Sequence, residues 1–133
     1  MNLECFLKQN ALKVENRKLT VSQRFVLDGE PVLWEIKAIT PKLDEQLRNA
    51  SLKQTVNGLE VDTDKYLGKL MASCIVFPDL DDSDLQDSYG VFGADNLLKV
   101  MLTAGEYANL LEQIEAINGF NVTMKDKVDT AKN

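Results

Sequence analysis

The sequence predicts an α+β fold: a single domain in which an N-terminal antiparallel β-hairpin packs on a mostly helical C-terminal half. Three features carry that expectation. Asp28-Gly29 stands between two β-rich runs, and Leu67, Leu70, Met71, Cys74 and Ile75 recur at helical spacing. Thr103-Ala104-Gly105-Glu106 has the form of a capping box ahead of a further amphipathic stretch. A chain of 133 residues can bury a core of this kind without a metal or disulfide staple.

Taken in order, Asn2 can cap a short helix over residues 2–9 with Leu3, Phe6 and Leu7 on one side, and residues 10–17 read as a polar connector. Leu19 to Leu27 and Val32 to Ile39 flank the Asp28-Gly29 turn, with Pro31 just past it. In the second run Trp34, Ile36 and Ala38 share one face and Leu33, Glu35 and Lys37 the other. Thr40-Pro41 opens a helix to about Ala50, because a hydroxyl caps free amides and proline loses nothing at the first helical position. Asn57-Gly58 then predicts a small hairpin between Leu52–Val56 and Leu59–Val61.

The Leu67 stripe follows Asp62-Thr63-Asp64 and is expected to run as helix until Pro78 stops it. A short helix is predicted near 83–89, with Gly90 and Gly93 closing it and opening the next at 94–102. The capping box starts the last helix. Tyr107, Leu110, Leu111, Ile114 and Ile117 form its apolar face, and Asn118-Gly119 ends it. The domain is expected to span residues 1–122, with residues 123–133 a flexible tail or a segment that a partner orders.

Composition removes many function classes. There is no His, so Ser-His-Asp, Cys-His and His-based zinc chemistry are excluded. A net charge of −6 disfavours nucleic acid as partner. No basic leader or membrane-length apolar run is present, which predicts a cytoplasmic protein and no membrane partner. Cys5 and Cys74 are too far apart in sequence for a redox pair, and Cys74 is placed like a small core residue.

The candidate catalytic and metal motifs have simpler structural explanations. Five aspartates within 79–87 could supply oxygen ligands to Ca²⁺ or Mg²⁺, but an EF-hand register from Asp79 puts Asp84 where glycine is needed and Gly90 where a bidentate glutamate is needed. They read as caps and a solvated acidic face. Glu112 and Glu115 lie away from the apolar stripe, and Gly90-Val91-Phe92-Gly93 lacks the ending of a phosphate loop. Trp34 and Tyr107 could anchor an interface, but a lone aromatic on an apolar face is more often core. What remains is a set of amphipathic helices with an acidic exterior, suited to holding an amphipathic helix of another chain.

Two blocks of residues resemble the XkdN-like tail assembly chaperones of tailed bacteriophages and their prophage relatives. The first is Val21-Ser22-Gln23-Arg24-Phe25 through Asp28-Gly29-Glu30-Pro31 to Trp34-Glu35-Ile36 and Ile39-Thr40. The second runs from Asp62-Thr63-Asp64-Lys65-Tyr66-Leu67 through Phe77-Pro78-Asp79-Leu80 and Leu85-Gln86-Asp87-Ser88-Tyr89-Gly90 to Gly105-Glu106-Tyr107-Ala108-Asn109-Leu110-Leu111 and Ile117-Asn118-Gly119-Phe120. The first 19 residues, the Asn57-Gly58 loop and the final dozen residues stand outside these blocks.

The resemblance implies a non-enzymatic protein, without cofactor or metal, that binds the tape measure protein in the host cytoplasm and keeps it soluble while the tail tube assembles. The tail tube protein is a further expected partner. Leu97, Met101, Tyr107, Leu111 and Ile114, on the helices between 94 and 117, are the expected contact residues. Two rival readings follow the same residues: a minor structural component retained in the virion, and a small divalent-metal enzyme built on the 79–87 aspartates.

Overall fold

A computed structural model describes residues 2–120 of the chain. The expected tail at 123–133 lies outside the described residues. The fold is α+β, with antiparallel strands concentrated in the N-terminal part and helices in the C-terminal part. The expected class therefore holds, with seven strands among the described residues in place of the four that two hairpins would give.

Strands β1 (Arg17–Leu19), β2 (Val26–Leu27), β3 (Glu30–Pro31) and β4 (Trp34–Ile36) form the hairpin region. Its tip turns on Asp28 and Gly29, both at positive φ (53° and 81°), the conformation an Asp-Gly pair reaches cheaply. The hairpin is not one continuous ladder. The tip pairs Val26 with Pro31 and Leu27 with Glu30, and the base pairs Arg17 with Ile36 and Leu19 with Trp34. Between them the chain turns inward to bury Ser22, whose hydroxyl accepts from the Arg24 amide at 3.0 Å.

Helix α1 (Pro41–Asn49) begins as its sequence predicts, with the Thr40 hydroxyl accepting from the Leu43 amide at 3.3 Å. Strands β5 (Leu52–Thr55) and β6 (Gly58–Val61) make the small ribbon. Its tip differs by one residue from expectation: Val56 and Asn57 occupy the turn, and Gly58, at φ 104°, already pairs with Thr55. The ribbon is closed at its base where Asp62 N–H donates to the Ser51 carbonyl at 2.7 Å.

Helix α2 (Thr63–Cys74) is capped by Asp62 and buries Leu70, Met71 and Cys74, but it stops at Cys74 and not at Pro78. Ile75 belongs instead to β7 (Ile75–Phe77), which pairs antiparallel with β4 through Ile36–Ile75 and Glu35–Phe77. The reason is local chemistry joined to a tertiary demand: Ile-Val-Phe is stiff, β-favouring sequence, and β4 needs a second neighbour. The sheet order is β1-β4-β7, with β4 central.

Helices α3 (Ser83–Ser88), α4 (Ala94–Met101) and α5 (Ala104–Asn118) complete the fold. The capping box is present in both directions, Glu106 N–H to the Thr103 hydroxyl at 3.2 Å and Thr103 N–H to the Glu106 carboxylate at 2.9 Å. Gly119 ends α5 in the left-handed conformation. Trp34 and Ile36 point from β4 into a core shared with Leu70, Met71 and Cys74 of α2, Leu97 and Leu98 of α4, and Leu110 and Ile114 of α5.

One expected helix does not form. Residues 2–9 hold only a 3₁₀ turn, Glu4–Phe6, although Asn2 Oδ1 does accept from the Glu4 amide at 2.9 Å. Leu3, Phe6 and Leu7 remain exposed, so no packing supports a helix too short to stand alone.

The packing around β4 is testable. Ile36→Ala is expected to cost about 2–5 kcal/mol by opening a cavity in the core, whereas Leu33→Ala, half exposed just before β4, should cost under about 1 kcal/mol. Urea unfolding of the two variants checks the contrast, and equal losses would contradict it.

Candidate functional site

The hairpin, β7 and the C-terminal helices meet around an apolar groove of about 190 Å³. Phe25, Val32 and Trp34 line it from the hairpin, Phe77 and Pro78 from the end of β7, Leu85 from α3 and Met101 from the end of α4. Every lining residue is apolar. The Phe25 and Trp34 rings stand 6.2 Å apart at 37°, and the Arg24 guanidinium lies 5.0 Å from the centre of the Phe25 ring. Phe77, half exposed, also lines a second recess on the outer sheet face with Lys18, Leu33 and Glu35.

Polar ties hold the walls in place. Arg24 Nη2 donates to the Glu106 carboxylate at 2.6 Å and to the Met101 carbonyl at 2.8 Å, joining the hairpin to the α4–α5 junction. The hydrogen bond from Arg24, then those from Ser22 and the Thr103 amide, hold the Glu106 carboxyl down at about 2. On the other wall Gln86 is buried, its amide donating to the Leu80 carbonyl at 2.9 Å and accepting from Gly93 N–H at 3.0 Å. This fixes α3, and with it Leu85, while Gly90 and Gly93 take the positive φ angles that the connecting loop requires.

The five expected contact residues do not form one surface. Leu97 and Ile114 are fully buried and Met101 nearly so, because they carry the α4 and α5 core stripes. Tyr107 and Leu111 are half-buried, and Tyr107 borders a shallow recess with Lys99, Leu102, Thr103 and Ala104. Of the five, Met101 alone lines the groove. No motif in the sequence marks Phe77, Pro78 and Leu85 as lining a groove. The nearest signal was the β-favouring run Ile75-Val76-Phe77 directly after a helix, which places Phe77 on a sheet edge.

Other chemically distinctive groups serve the fold. Cys74 is buried with its thiol pushed up, chiefly by burial, and Asn118 beside it accepts from Ile39 N–H at 2.8 Å and donates to the Ile114 carbonyl at 2.8 Å. The Tyr66 hydroxyl donates to Asp44, and burial followed by that bond pushes it up to about 12. Among the described residues no three acidic or cysteine side chains gather as a metal site, and no helix is long and apolar enough to cross a membrane.

Comparison with known proteins places the chain among phage tail assembly proteins. Over residues 3–132 the chain matches the model of the phage XkdN-like tail assembly chaperone (TAC) proteins, and it belongs to that family. It is 27% identical to the phage-like element PBSX protein XkdN of Bacillus subtilis (strain 168), covering 99% of this chain and 94% of that one. It is 28% identical to the protein YqbN of the same strain, covering 99% and 93%. The crystal structure of YqbN superposes with a TM-score of 0.78 at 26% identity, over 90% of this chain and 97% of the other. The family match includes most of the first 19 residues and of the final dozen, which the two sequence blocks left out. Membership implies an assembly role with phage tail proteins as partners.

Glu106 gives a test of the tie. Glu106→Gln keeps a residue suited to the capping box but removes the ion pair with Arg24. Because the native carboxyl sits at about 2 against an ordinary 4.5, the native advantage is fully present above the ordinary range. It is lost as pH falls through about 2. Denaturation of both proteins across that range should show the gap closing toward low pH; a gap independent of pH would contradict the assignment.

Proposed function

We propose that this protein is a tail assembly chaperone that binds the tape measure protein in the cytoplasm of the bacterial host and keeps it soluble until the tail tube forms around it. The tail tube protein is the second partner in this reading. The role is non-enzymatic and needs no cofactor. The observation that carries it is the solvent-open, wholly apolar groove in a member of this family. A protein that shelters aggregation-prone helices needs an apolar docking surface on an otherwise charged exterior.

The contact surface comprises the groove together with the half-exposed Tyr107 and Leu111. Leu97 and Ile114 belong to the core, and Met101 lines the groove.

Co-expression with the tape measure protein tests this directly. The soluble fraction of the tape measure protein should rise, the two should co-purify, and the chaperone should be missing from purified virions by mass spectrometry. Unchanged solubility, or stoichiometric retention in the particle, would overturn the reading.

A further inference from the structure

The net charge of the chain is confined to one segment. Residues 70–98 contain Asp79, Asp81, Asp82, Asp84, Asp87 and Asp95 and neither Lys nor Arg. The remaining residues hold 15 acidic and 15 basic side chains, so the whole −6 resides in this stretch. It is the same stretch that supplies Phe77, Pro78 and Leu85 to the groove. Five of the six aspartates, at 79–87, are exposed, and Asp79 and Asp84 directly neighbour the lining residues Pro78 and Leu85 in sequence.

Local capping accounts for part of this acidity only. Asp82 caps α3 by accepting from the Leu85 amide at 2.9 Å, and Asp79 accepts from the Asp81 amide at 3.0 Å. Asp81, Asp84 and Asp87 make no ion pair among the described residues. Arg24, the cation adjacent in sequence to the lining residue Phe25, is already committed to Glu106. An apolar recess flanked by an exposed acidic segment therefore selects its occupant by charge as well as by shape.

Resting on the chaperone reading, we propose that the groove accepts a basic amphipathic helix of the client, with bulky apolar side chains over Phe77, Leu85 and Met101 and Lys or Arg residues facing the 79–87 aspartates. Apolar burial supplies most of the affinity, and the charges set orientation and exclude acidic helices. A client segment of that composition is also the kind that aggregates or binds nucleic acid when left uncovered. The acidic segment shields its cations while the recess covers its apolar face.

The test uses the full chain and two synthetic peptides of about 18 residues, each with leucines at the i, i+3, i+4, i+7 spacing of one helical face. One carries lysines at the polar positions and the other glutamates. In amide NMR spectra the lysine peptide should shift Phe25, Val32, Trp34, Phe77, Leu85 and Met101, and the glutamate peptide should bind at least roughly tenfold more weakly. The variant D81N/D84N/D87N, which alters only exposed side chains, should keep its circular dichroism. It should bind the lysine peptide roughly tenfold more weakly and with a reduced salt dependence.

Equal binding of the two peptides would overturn the proposal, as would an unaffected triple variant or shifts centred on Tyr107 and Leu111. Concentration-dependent shifts at the groove in the free protein would make a second copy the occupant and also overturn it. If the tape measure protein is still solubilised in any of those cases, the chaperone reading survives and the groove assignment alone falls.

Discussion

Strand β4 can bury Trp34 and Ile36 only if neighbours on both sides satisfy its backbone and helices cover its inner face. That constraint organises the molecule. β1 supplies one ladder from before the hairpin tip, and β7 supplies the other from the far end of α2. The Lys37 amide donates to the Cys74 carbonyl at 2.8 Å, so the last residue of α2 is already tied to the end of β4. α2 must therefore end where β7 begins, and its stripe, with those of α4 and α5, closes over the two β4 side chains. Burial of this cluster is the main favourable term, and each large side chain contributes about 1.5–3 kcal/mol.

The groove follows from the same arrangement. β7 is a short edge strand, and its last residue, Phe77, is left half exposed beside the hairpin that β4 holds in place. Leu85 comes from α3, a helix of six residues held by the buried Gln86 amide. The two polar ties, Arg24 with Glu106 and Gln86 with Leu80 and Gly93, fix the groove's width without filling it.

Much of this was legible in the residues because the relevant signals are local. Asp28-Gly29, Thr40-Pro41, the Thr103–Glu106 box and Gly119 each specify a turn or helix end through the conformation or hydrogen bond that residue type favours, and the structure uses all four. The unread parts depend on distant partners. Ile75 fits the α2 stripe by spacing, and the vacancy beside β4 tips the β-favouring Ile75-Val76-Phe77 run to strand. Leu3, Phe6 and Leu7 have helical spacing but nothing to pack against. Leu97, Met101 and Ile114 looked like a presented face because periodicity shows that a helix has an apolar side, not whether the chain's own core or a partner covers it. The groove draws on four separate segments, so no single stretch could announce it.

Site-specific photo-crosslinking tests the central claim most directly, because it reads contact in the assembled complex. A photo-reactive phenylalanine at Phe77 or Leu85, co-expressed with the tape measure protein, should give a covalent adduct mapping to a helical client segment rich in Lys or Arg. The same group at Val56, on the fully exposed tip of the β5–β6 ribbon, should give none. Equal adducts from Val56, or none from Phe77 and Leu85 while the complex forms, would contradict the account.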